Sequence, residues 1–202
     1  MTTGFLQWGV ATSTRSGEAV SGDRFLVHPT RVGAILAVVD GAGHGPEAEK
    51  AALRATQVLE ESAELPLPDL CRLCHLGLAG TRGAVLLAAR FDASDGTLMW
   101  AGVGDAFGVL LRADGRQRPG IEILQTQGGI LGVNLPALAN SMLAVHDGDL
   151  LVLATDGVRN DFVDGLRARD DPQRVAARIL EKHDKGSDDA LVLAARFRVE
   201  TR

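Results

Sequence analysis

Apolar runs separated by short turns of glycine, aspartate and proline make up most of this chain. Several runs alternate with polar positions or stay apolar throughout, which is typical of half-buried and fully buried strands. Strands are therefore predicted over residues 7–14, 23–28, 31–39, 84–91, 97–103, 106–112, 121–125, 142–145, 150–155 and 190–199. The turn at His28-Pro29-Thr30 predicts that the second and third of these strands form a hairpin.

Apolar positions at helical spacing predict helices between some of these strands. Pro46 suits the first turn of a helix that extends to about residue 64 and packs on a sheet through its alanines. Further helices are predicted over residues 69–79 and 172–183. The segments 92–96, 114–115 and 147–149 have the composition of hairpin turns and predict antiparallel pairing. Helices inserted among antiparallel strands indicate an α+β fold, most simply a β-sandwich with helices outside.

Length and charge limit the classes of function. The chain has 202 residues, 46% of them hydrophobic, which is enough for one complete core, so we expect a single domain over residues 1–202. A formal net charge of -5 without a clustered basic face argues against nucleic-acid binding. The N-terminus lacks the pattern of an export signal, and no apolar run approaches membrane-spanning length. We therefore expect a cytoplasmic, monomeric protein that binds no membrane.

The only cysteines, Cys71 and Cys74, are followed by His75 in a pattern that resembles c-type haem attachment. Haem attachment of that kind takes place outside the cytoplasm, and the segment fits the buried side of a short helix that includes Leu70, Leu73, Cys74, Leu76 and Leu78. A redox dithiol is a second interpretation of the two cysteines. A zinc site would need a second pair of Cys or His ligands at suitable spacing, and the sequence has none. Two buried structural thiols are the preferred interpretation.

Acidic residues beside glycine or serine recur where apolar runs begin or end. They stand at Gly22-Asp23, Asp40-Gly41, Asp156-Gly157 and Ser187-Asp188-Asp189. Each Asp-Gly pair alone is an ordinary turn former, so the functional interpretation depends on the whole set. Carboxylates gathered from distant segments repel one another unless cations compensate, and hard oxygen ligands favour magnesium or manganese. The set therefore predicts a metal site, most simply with a pair of divalent ions.

The order and spacing of these acidic motifs resemble those of the metal-dependent protein phosphatases of type 2C. The matching segments are Val20-Ser-Gly-Asp23, Val39-Asp-Gly-Ala-Gly-His-Gly45, Gly102-Val-Gly-Asp105, Ala154-Thr-Asp-Gly-Val158 and Gly186-Ser-Asp-Asp-Ala-Leu-Val192. Within that superfamily the chain resembles the sporulation stage II E branch, and in particular the stand-alone phosphatases of the sigma-B stress pathway. The resemblance spans about residues 7 to 198.

The resemblance implies a four-layer α-β-β-α sandwich of two antiparallel sheets, with two Mn²⁺ or Mg²⁺ ions at one edge. By position in the motifs, Asp40 would bridge the ions, the Gly41 carbonyl would ligate one of them, and Asp23, Asp156 and Asp188 would complete the site. Asp105 matches a residue that holds a third, weaker ion in some relatives. Asp189 is expected to support the ligands from outside the metal shell, while Asp95, Asp114, Asp147 and Asp149 are expected only to form turns.

The resemblance also implies the reaction. A phosphoserine or phosphothreonine ester resists hydrolysis because its dianion repels nucleophiles, and paired divalent ions neutralise the phosphate and activate a water molecule. The expected substrate is a phosphorylated partner protein of the stressosome or anti-sigma-antagonist type. His44 is a candidate proton donor to the departing oxygen, and Arg15 and Arg24 are candidate phosphate clamps.

Two other functions compete with this interpretation. A pseudophosphatase would keep the fold and bind phosphoprotein without turnover, although every proposed ligand side chain is a carboxylate here. A dinucleotide-binding loop is the other candidate, because Gly41-Ala-Gly-His-Gly45 follows a strand and precedes a helix. Pro46 occupies the place of that fingerprint's third glycine, and Asp40 would put a carboxylate beside the pyrophosphate. The phosphatase is the preferred interpretation.

Overall fold

Two antiparallel sheets pack face to face in a computed structural model that describes residues 2–138 and 141–198. The first sheet has the order β1-β2-β11-β10-β7-β8, and the second has the order β3-β4-β5-β6-β9. The strands are β1 (Thr2–Thr3), β2 (Leu6–Ser13), β3 (Asp23–Pro29), β4 (Gly33–Gly41), β5 (Ala84–Asp92), β6 (Thr97–Val103), β7 (Phe107–Leu111), β8 (Ile121–Leu124), β9 (Ser141–Ala144), β10 (Leu150–Ala154) and β11 (Ala190–Phe197).

Helices cover the outer faces of both sheets. They are α1 (Pro46–Glu61), α2 (Leu67–Gly77) and α3 (Pro172–His183), and a 3₁₀ segment covers Asn160–Gly165. The first two helices bury their apolar faces on the second sheet, and α3 packs on the first. The predicted α+β class and the four-layer α-β-β-α arrangement are confirmed. No helix of the described residues is long and apolar enough to cross a membrane.

Alternation along the strands assigns each side chain to one of three apolar layers. In β4, Ile35, Ala37 and Val39 face α1 and α2, whereas Leu36 and Val38 face the other sheet. Asp40 has the same parity as Leu36 and Val38, so its side chain continues the row between the sheets to the end of the strand.

Most of the predicted boundaries agree with the structure to within a few residues. The hairpin between β3 and β4 is confirmed, although β4 begins at Gly33 and continues through Gly41. Helix α2 begins at Leu67, two residues before the predicted start, because Pro68 lies in its first turn, where the missing N–H is not needed. The strand β1 and the 3₁₀ segment were not predicted. The predicted end of β11 at residue 199 falls outside the described residues.

The prediction of a hairpin turn at residues 147–149 is wrong. Residues 147–149 do not close a hairpin, because β9 pairs with β6 in one sheet while β10 pairs with β7 and β11 in the other. The Asp149 side chain is fully buried at this crossing. It accepts hydrogen bonds from the backbone N–H groups of Ala113 and His146 and from the guanidinium of Arg112 at 2.8, 3.1 and 3.0 Å. A buried carboxylate with these partners fixes the crossing between the sheets.

The interpretation of Cys71 and Cys74 as buried thiols is confirmed. Both are free and fully buried against α1, and burial raises the pKa of their thiols to about 11 and about 12. His75 accepts a hydrogen bond from the Gly132 N–H at 3.0 Å through Nδ1. The prediction that Leu73 and Leu76 lie on the buried side of this helix is wrong, because both are exposed.

We expect Cys71 and Cys74 to resist modification in the native protein. Thiolate is the reactive form, and burial disfavours it at neutral pH. A disulfide-exchange reagent such as Ellman's reagent should therefore titrate both thiols in denaturant and neither within minutes in buffer. Rapid release of one equivalent of chromophore from the folded protein would contradict this expectation.

Candidate metal centre

The acidic motifs meet at one edge of the sandwich. Antiparallel pairing brings the first residue of β3, the last residues of β4, the end of β10 and the start of β11 to the same edge. The crossing from β6 to β7 joins the two sheets there as well. The aspartates at this edge, which we call the acidic edge, are Asp23, Asp40, Asp105, Asp156 and Asp188.

Asp23 and Asp40 are directly opposite each other in the ladder between β3 and β4. Cross-strand partners of this kind have their Cβ atoms about 4.5–5.5 Å apart on the same face of the sheet. Like charges directly opposite destabilise a sheet, so the pair requires a compensating proton or cation. Because both side chains face the space between the sheets, they point toward the residues that follow β10 and precede β11.

Burial and mutual repulsion raise the pKa values of these carboxyls. Burial, followed by charge repulsion from Asp23, Asp156, Asp188 and Asp105 in that order, raises the pKa of Asp40 to about 9. Burial also raises the pKa of Asp23 to about 7, against the lowering effect of a hydrogen bond from Thr155. The pKa of Asp156 is raised mainly by burial and then by Asp105. Each carboxylate therefore influences several others.

Asp23 is held in place from the opposite sheet. The Thr155 hydroxyl donates to Asp23 Oδ2 at 2.6 Å and accepts from the Leu191 N–H at 2.9 Å. The side chain of Asp23 is only 3% exposed, and its Oδ1 atom has no hydrogen-bond partner among the described residues. A buried carboxylate oxygen without a partner is costly, and a cation would satisfy it.

Asp189 supports the loop that leads into β3. It is buried, and its carboxylate accepts from the backbone N–H groups of Arg15 and Gly22 at 2.9 and 2.8 Å. Its own N–H donates to Asp188 Oδ1 at 2.9 Å. The carboxylate of Asp189 thus fixes the loop before Asp23, while its N–H orients the neighbouring side chain of Asp188.

Gly41 and Gly157 allow backbone segments to approach closely at the acidic edge. A Cβ atom at Gly41 would lie 2.0 Å from the carbonyl oxygen of Ala48 in α1. A Cβ atom at Gly157 would lie 1.9 Å from the carbonyl oxygen of Asp189. Both distances are far below contact, so any larger side chain would displace the backbone beside Asp40 or Asp156.

We expect Gly41→Ala to lower stability by about 2 kcal/mol or more, because the new methyl group overlaps the first turn of α1. Gly115→Ala is the matched control, since a Cβ atom there has no neighbour within 4 Å. Denaturant unfolding of both variants measures the difference. Equal midpoints for the two variants would show that α1 adjusts without cost.

The donor set fits magnesium or manganese. It consists of carboxylate oxygens, one of them buried without a partner, whose pKa values are raised by burial and by mutual repulsion. Among residues 2–138 and 141–198, no three His, Cys, Asp or Glu side chains are already gathered into a coordination shell.

Lys185 supplies a positive charge next to the acidic edge. Its Nζ atom donates to the carbonyl oxygen of Asp156 at 2.5 Å, and its positive charge partly offsets the rise in the pKa of the Asp156 carboxyl. No role was predicted for Lys185 or Thr155. Thr155 immediately precedes an Asp-Gly pair at a strand end, which is the signal that could have identified it.

The candidate phosphate clamps have different surroundings. The Arg24 guanidinium pairs with Glu49 at 2.5 Å and donates to two backbone carbonyls, so the structure favours a structural role over the predicted clamp. The Arg15 side chain has no hydrogen bond or ion pair with the described residues, although its N–H bonds Asp189. It therefore remains available near the edge.

His44 lies in the exposed loop between Gly41 and α1. Its Nδ1 atom is 2.5 Å from Glu18 Oε1. Gly45, with φ 75°, follows it and precedes the first residue of α1. The positive φ requires glycine at this position and turns the chain from the acidic edge into the helix.

Comparison with known proteins identifies the family. Residues 31–198 match the profile of stage II sporulation protein E (SpoIIE). The chain belongs to the SpoIIE family. Membership confirms the predicted resemblance to type 2C phosphatases and the predicted enzyme class, a protein-serine/threonine phosphatase. No sequence among curated proteins matches this SpoIIE-family chain.

Solved structures share the fold over nearly the whole chain. A chain from work on the bacterial stressosome, described as a modular system adapted to control secondary messenger signalling, is 34% identical. The alignment covers 95% of this chain and 99% of that one, with a TM-score of 0.85. RsbX in complex with magnesium is 18% identical, with coverage of 98% of both chains and a TM-score of 0.86.

A third solved structure has manganese. The catalytic domain of the serine/threonine phosphatase PstP in complex with two manganese ions is 20% identical to this SpoIIE-family chain. The alignment covers 96% of this chain and 99% of that domain, with a TM-score of 0.69. At identities below 25%, RsbX and PstP establish the common fold for this chain.

Proposed function

We propose that this protein is a metal-dependent phosphatase that removes phosphate from phosphoserine or phosphothreonine on a stress-signalling partner protein. The convergence of Asp23, Asp40, Asp156 and Asp188 at one edge, with Asp23 Oδ1 left without a partner, is the observation that supports it most directly. Membership of the SpoIIE family supplies the reaction class.

The proposed ligands are those that the resemblance to type 2C phosphatases implies, and their positions at the acidic edge support the choice. Asp40, which lies opposite Asp23, would hold two divalent ions together with Asp23, Asp156, Asp188 and the Gly41 carbonyl. Asp105, which is exposed on the crossing between the sheets, would hold a third, weaker ion. When bound, the ions would neutralise phosphate oxygens and activate a water molecule for attack on phosphorus. Magnesium in RsbX and manganese in PstP support this choice of metals.

The chain's own residues then position the substrate and supply protons. Arg15, whose guanidinium has no partner among the described residues, would bind phosphate oxygens at the rim. The short contact between Glu18 and His44 Nδ1 fixes the ring and leaves Nε2 to donate a proton to the departing serine oxygen. Thr155 and Asp189 hold Asp23 and the preceding loop in position.

His44→Asn tests the proton donor. We expect kcat for a phosphoserine peptide to fall about 10²-fold, since general acid catalysis contributes on that order. Hydrolysis of p-nitrophenyl phosphate should change far less, because nitrophenolate leaves without a proton. Glu18→Gln should show the same contrast in weaker form. An equal loss on both substrates would remove His44 from the proton-transfer role.

The partner is proposed from the solved structures. The 34% identical neighbour comes from work on the bacterial stressosome, and another neighbour contains the RsbU and RsbW domains of a mycobacterial protein. These relatives support a phosphorylated stressosome or anti-sigma-antagonist protein as substrate. The predicted cytoplasmic location, monomeric state and single-domain organisation over residues 1–202 stay predictions.

Phosphate release from such a partner decides between enzyme and binding module. Purified protein with manganese should dephosphorylate a phosphoserine stressosome protein, and removal of the metal with EDTA should stop the reaction. Release should return when manganese or magnesium is added. A protein that binds the phosphorylated partner but releases no phosphate with either metal would be the pseudophosphatase, and the proposal would fail.

A further inference from the structure

A cavity rich in arginine lies at the end of the first sheet opposite the acidic edge. Its volume is about 760 Å³, and its lining includes Arg112, Arg167, Arg169 and Arg196 together with Leu111 and Leu166. Leu111 is the last residue of β7, and Arg196 is near the end of β11. Since β7 and β11 carry the acidic edge at their other ends, about five residues of strand separate the two sites, or roughly 16 Å.

Three of these arginines have no acidic partner among the described residues. Arg167 and Arg169 are exposed, and their guanidinium groups make no hydrogen bond or ion pair with the part of the chain that the structure describes. The Arg196 guanidinium donates only to neutral oxygens, the carbonyls of Ala168 and Asp170 and the Gln7 amide. Its positive charge is therefore satisfied by hydrogen bonds but not neutralised.

The nearby carboxylates are already engaged. Arg112 is paired with Asp149 and Glu122, so it contributes little net charge. Asp170 pairs with Arg178 at 2.9 Å, and Asp171 accepts from Gln7 Nε2 and the Arg174 N–H. The cavity thus gathers three uncompensated cations on a chain whose formal net charge is -5. Such a concentration of one sign creates a local positive potential that attracts anions.

The supporting structure holds the arginines in place. Arg196 anchors the segment that contains Arg167 and Arg169, because it bonds the Ala168 carbonyl through both Nε and Nη2. An adjoining cavity shares Leu166 and Arg167 and is also lined by Arg178. The Nη2 atom of Arg178 is buried and has no hydrogen-bond partner among the described residues. Guanidinium N–H groups without a hydrogen-bond acceptor are therefore present in both cavities.

We propose that this cavity binds a small molecule with two or more phosphate groups. Guanidinium groups match the geometry of phosphate oxygens. Three guanidinium groups carry more positive charge than a single inorganic phosphate needs to be neutralised. The volume lies within the range of small-molecule sites, and Leu111 and Leu166 offer an apolar surface to the rest of the ligand. The two sites differ in charge, since the acidic edge would bind phosphate through cations whereas the arginines of this cavity would contact it directly.

Calorimetric titration with inorganic pyrophosphate tests the site. It is done at low ionic strength with EDTA, so that binding through metal at the acidic edge does not contribute. The wild-type protein should bind one equivalent, and inorganic phosphate should bind at least about tenfold more weakly because it makes fewer charge-assisted hydrogen bonds. Titration with ADP distinguishes a nucleotide ligand, which should bind more tightly than pyrophosphate, from one recognised through its phosphates alone.

The double variant Arg167→Ala, Arg169→Ala should weaken pyrophosphate binding at least about tenfold without lowering the melting temperature, since both side chains are exposed. The matched control is Lys50→Ala, Arg54→Ala, which removes the same charge from α1 on the opposite layer and should change affinity less than about twofold. Hydrolysis of p-nitrophenyl phosphate with manganese should persist in both, which separates this test from that of the phosphatase. Absence of saturable pyrophosphate binding, or equal affinity in wild type and double variant, would overturn the proposal.

Discussion

Replacing Asp40 with asparagine is expected to abolish phosphate release while the fold persists. Asp40 lies opposite Asp23 in the strand ladder and is influenced by four other carboxylates at the acidic edge, so it has the central position among them. An amide has one neutral oxygen and cannot bridge two cations as a carboxylate does. The metal ions that neutralise phosphate stabilise the transition state by several kcal/mol, so losing them should lower turnover at least about 10³-fold.

The measurement is phosphate release with saturating manganese, together with circular dichroism and a thermal melt. Asp164→Asn is the matched control, since Asp164 is exposed on the 3₁₀ segment and lies away from the acidic edge. Asp156→Asn should resemble Asp40→Asn in its loss of turnover. Retained turnover in a folded Asp40→Asn protein would remove this residue from the mechanism.

The strand ends explain why so much of the acidic edge could be predicted. A buried run that stops at a carboxylate and a glycine places that carboxylate at the end of a sheet, whichever strand lies next to it. Asp40 and Asp156 could be placed in this way from local sequence alone. The turn after β3 predicted a hairpin with β4, which brings Asp23 to the same end of the sheet, but only the structure shows that its register places Asp23 opposite Asp40.

Other features depend on contacts between segments that are distant in the chain. The composition of residues 147–149 indicates a turn, but only the pairing of β9 with β6 shows that the turn crosses between sheets. The bond from Thr155 to Asp23 joins residues 132 positions apart. The arginine-rich cavity combines β7, β11 and the segment after the 3₁₀ turn. Local sequence patterns do not predict such long-range contacts.

The metal-free protein is expected to lose stability as pH rises from about 4 to about 9, and manganese should restore it. The folded-state pKa values of Asp23 and Asp40 are raised from 3.8 to about 7 and about 9. In this window the folded state binds more protons than the unfolded state, so the free energy of unfolding decreases as pH rises. The stabilisation is complete below the unfolded pKa and is lost by the folded pKa.

Thermal melts in EDTA at pH 5 and pH 8 measure this effect. Since one pKa unit corresponds to about 1.4 kcal/mol, the melting temperature should fall by about 10 °C or more between these values. Asp40→Asn should flatten the profile, because an amide has no proton to lose, whereas Asp164→Asn should leave the slope unchanged. A metal-free wild-type protein as stable at pH 8 as at pH 5 would show that these carboxylates are already compensated. In that case the carboxylates at the acidic edge would not repel one another strongly enough to require a cation, and the main physical argument for a metal centre would fail.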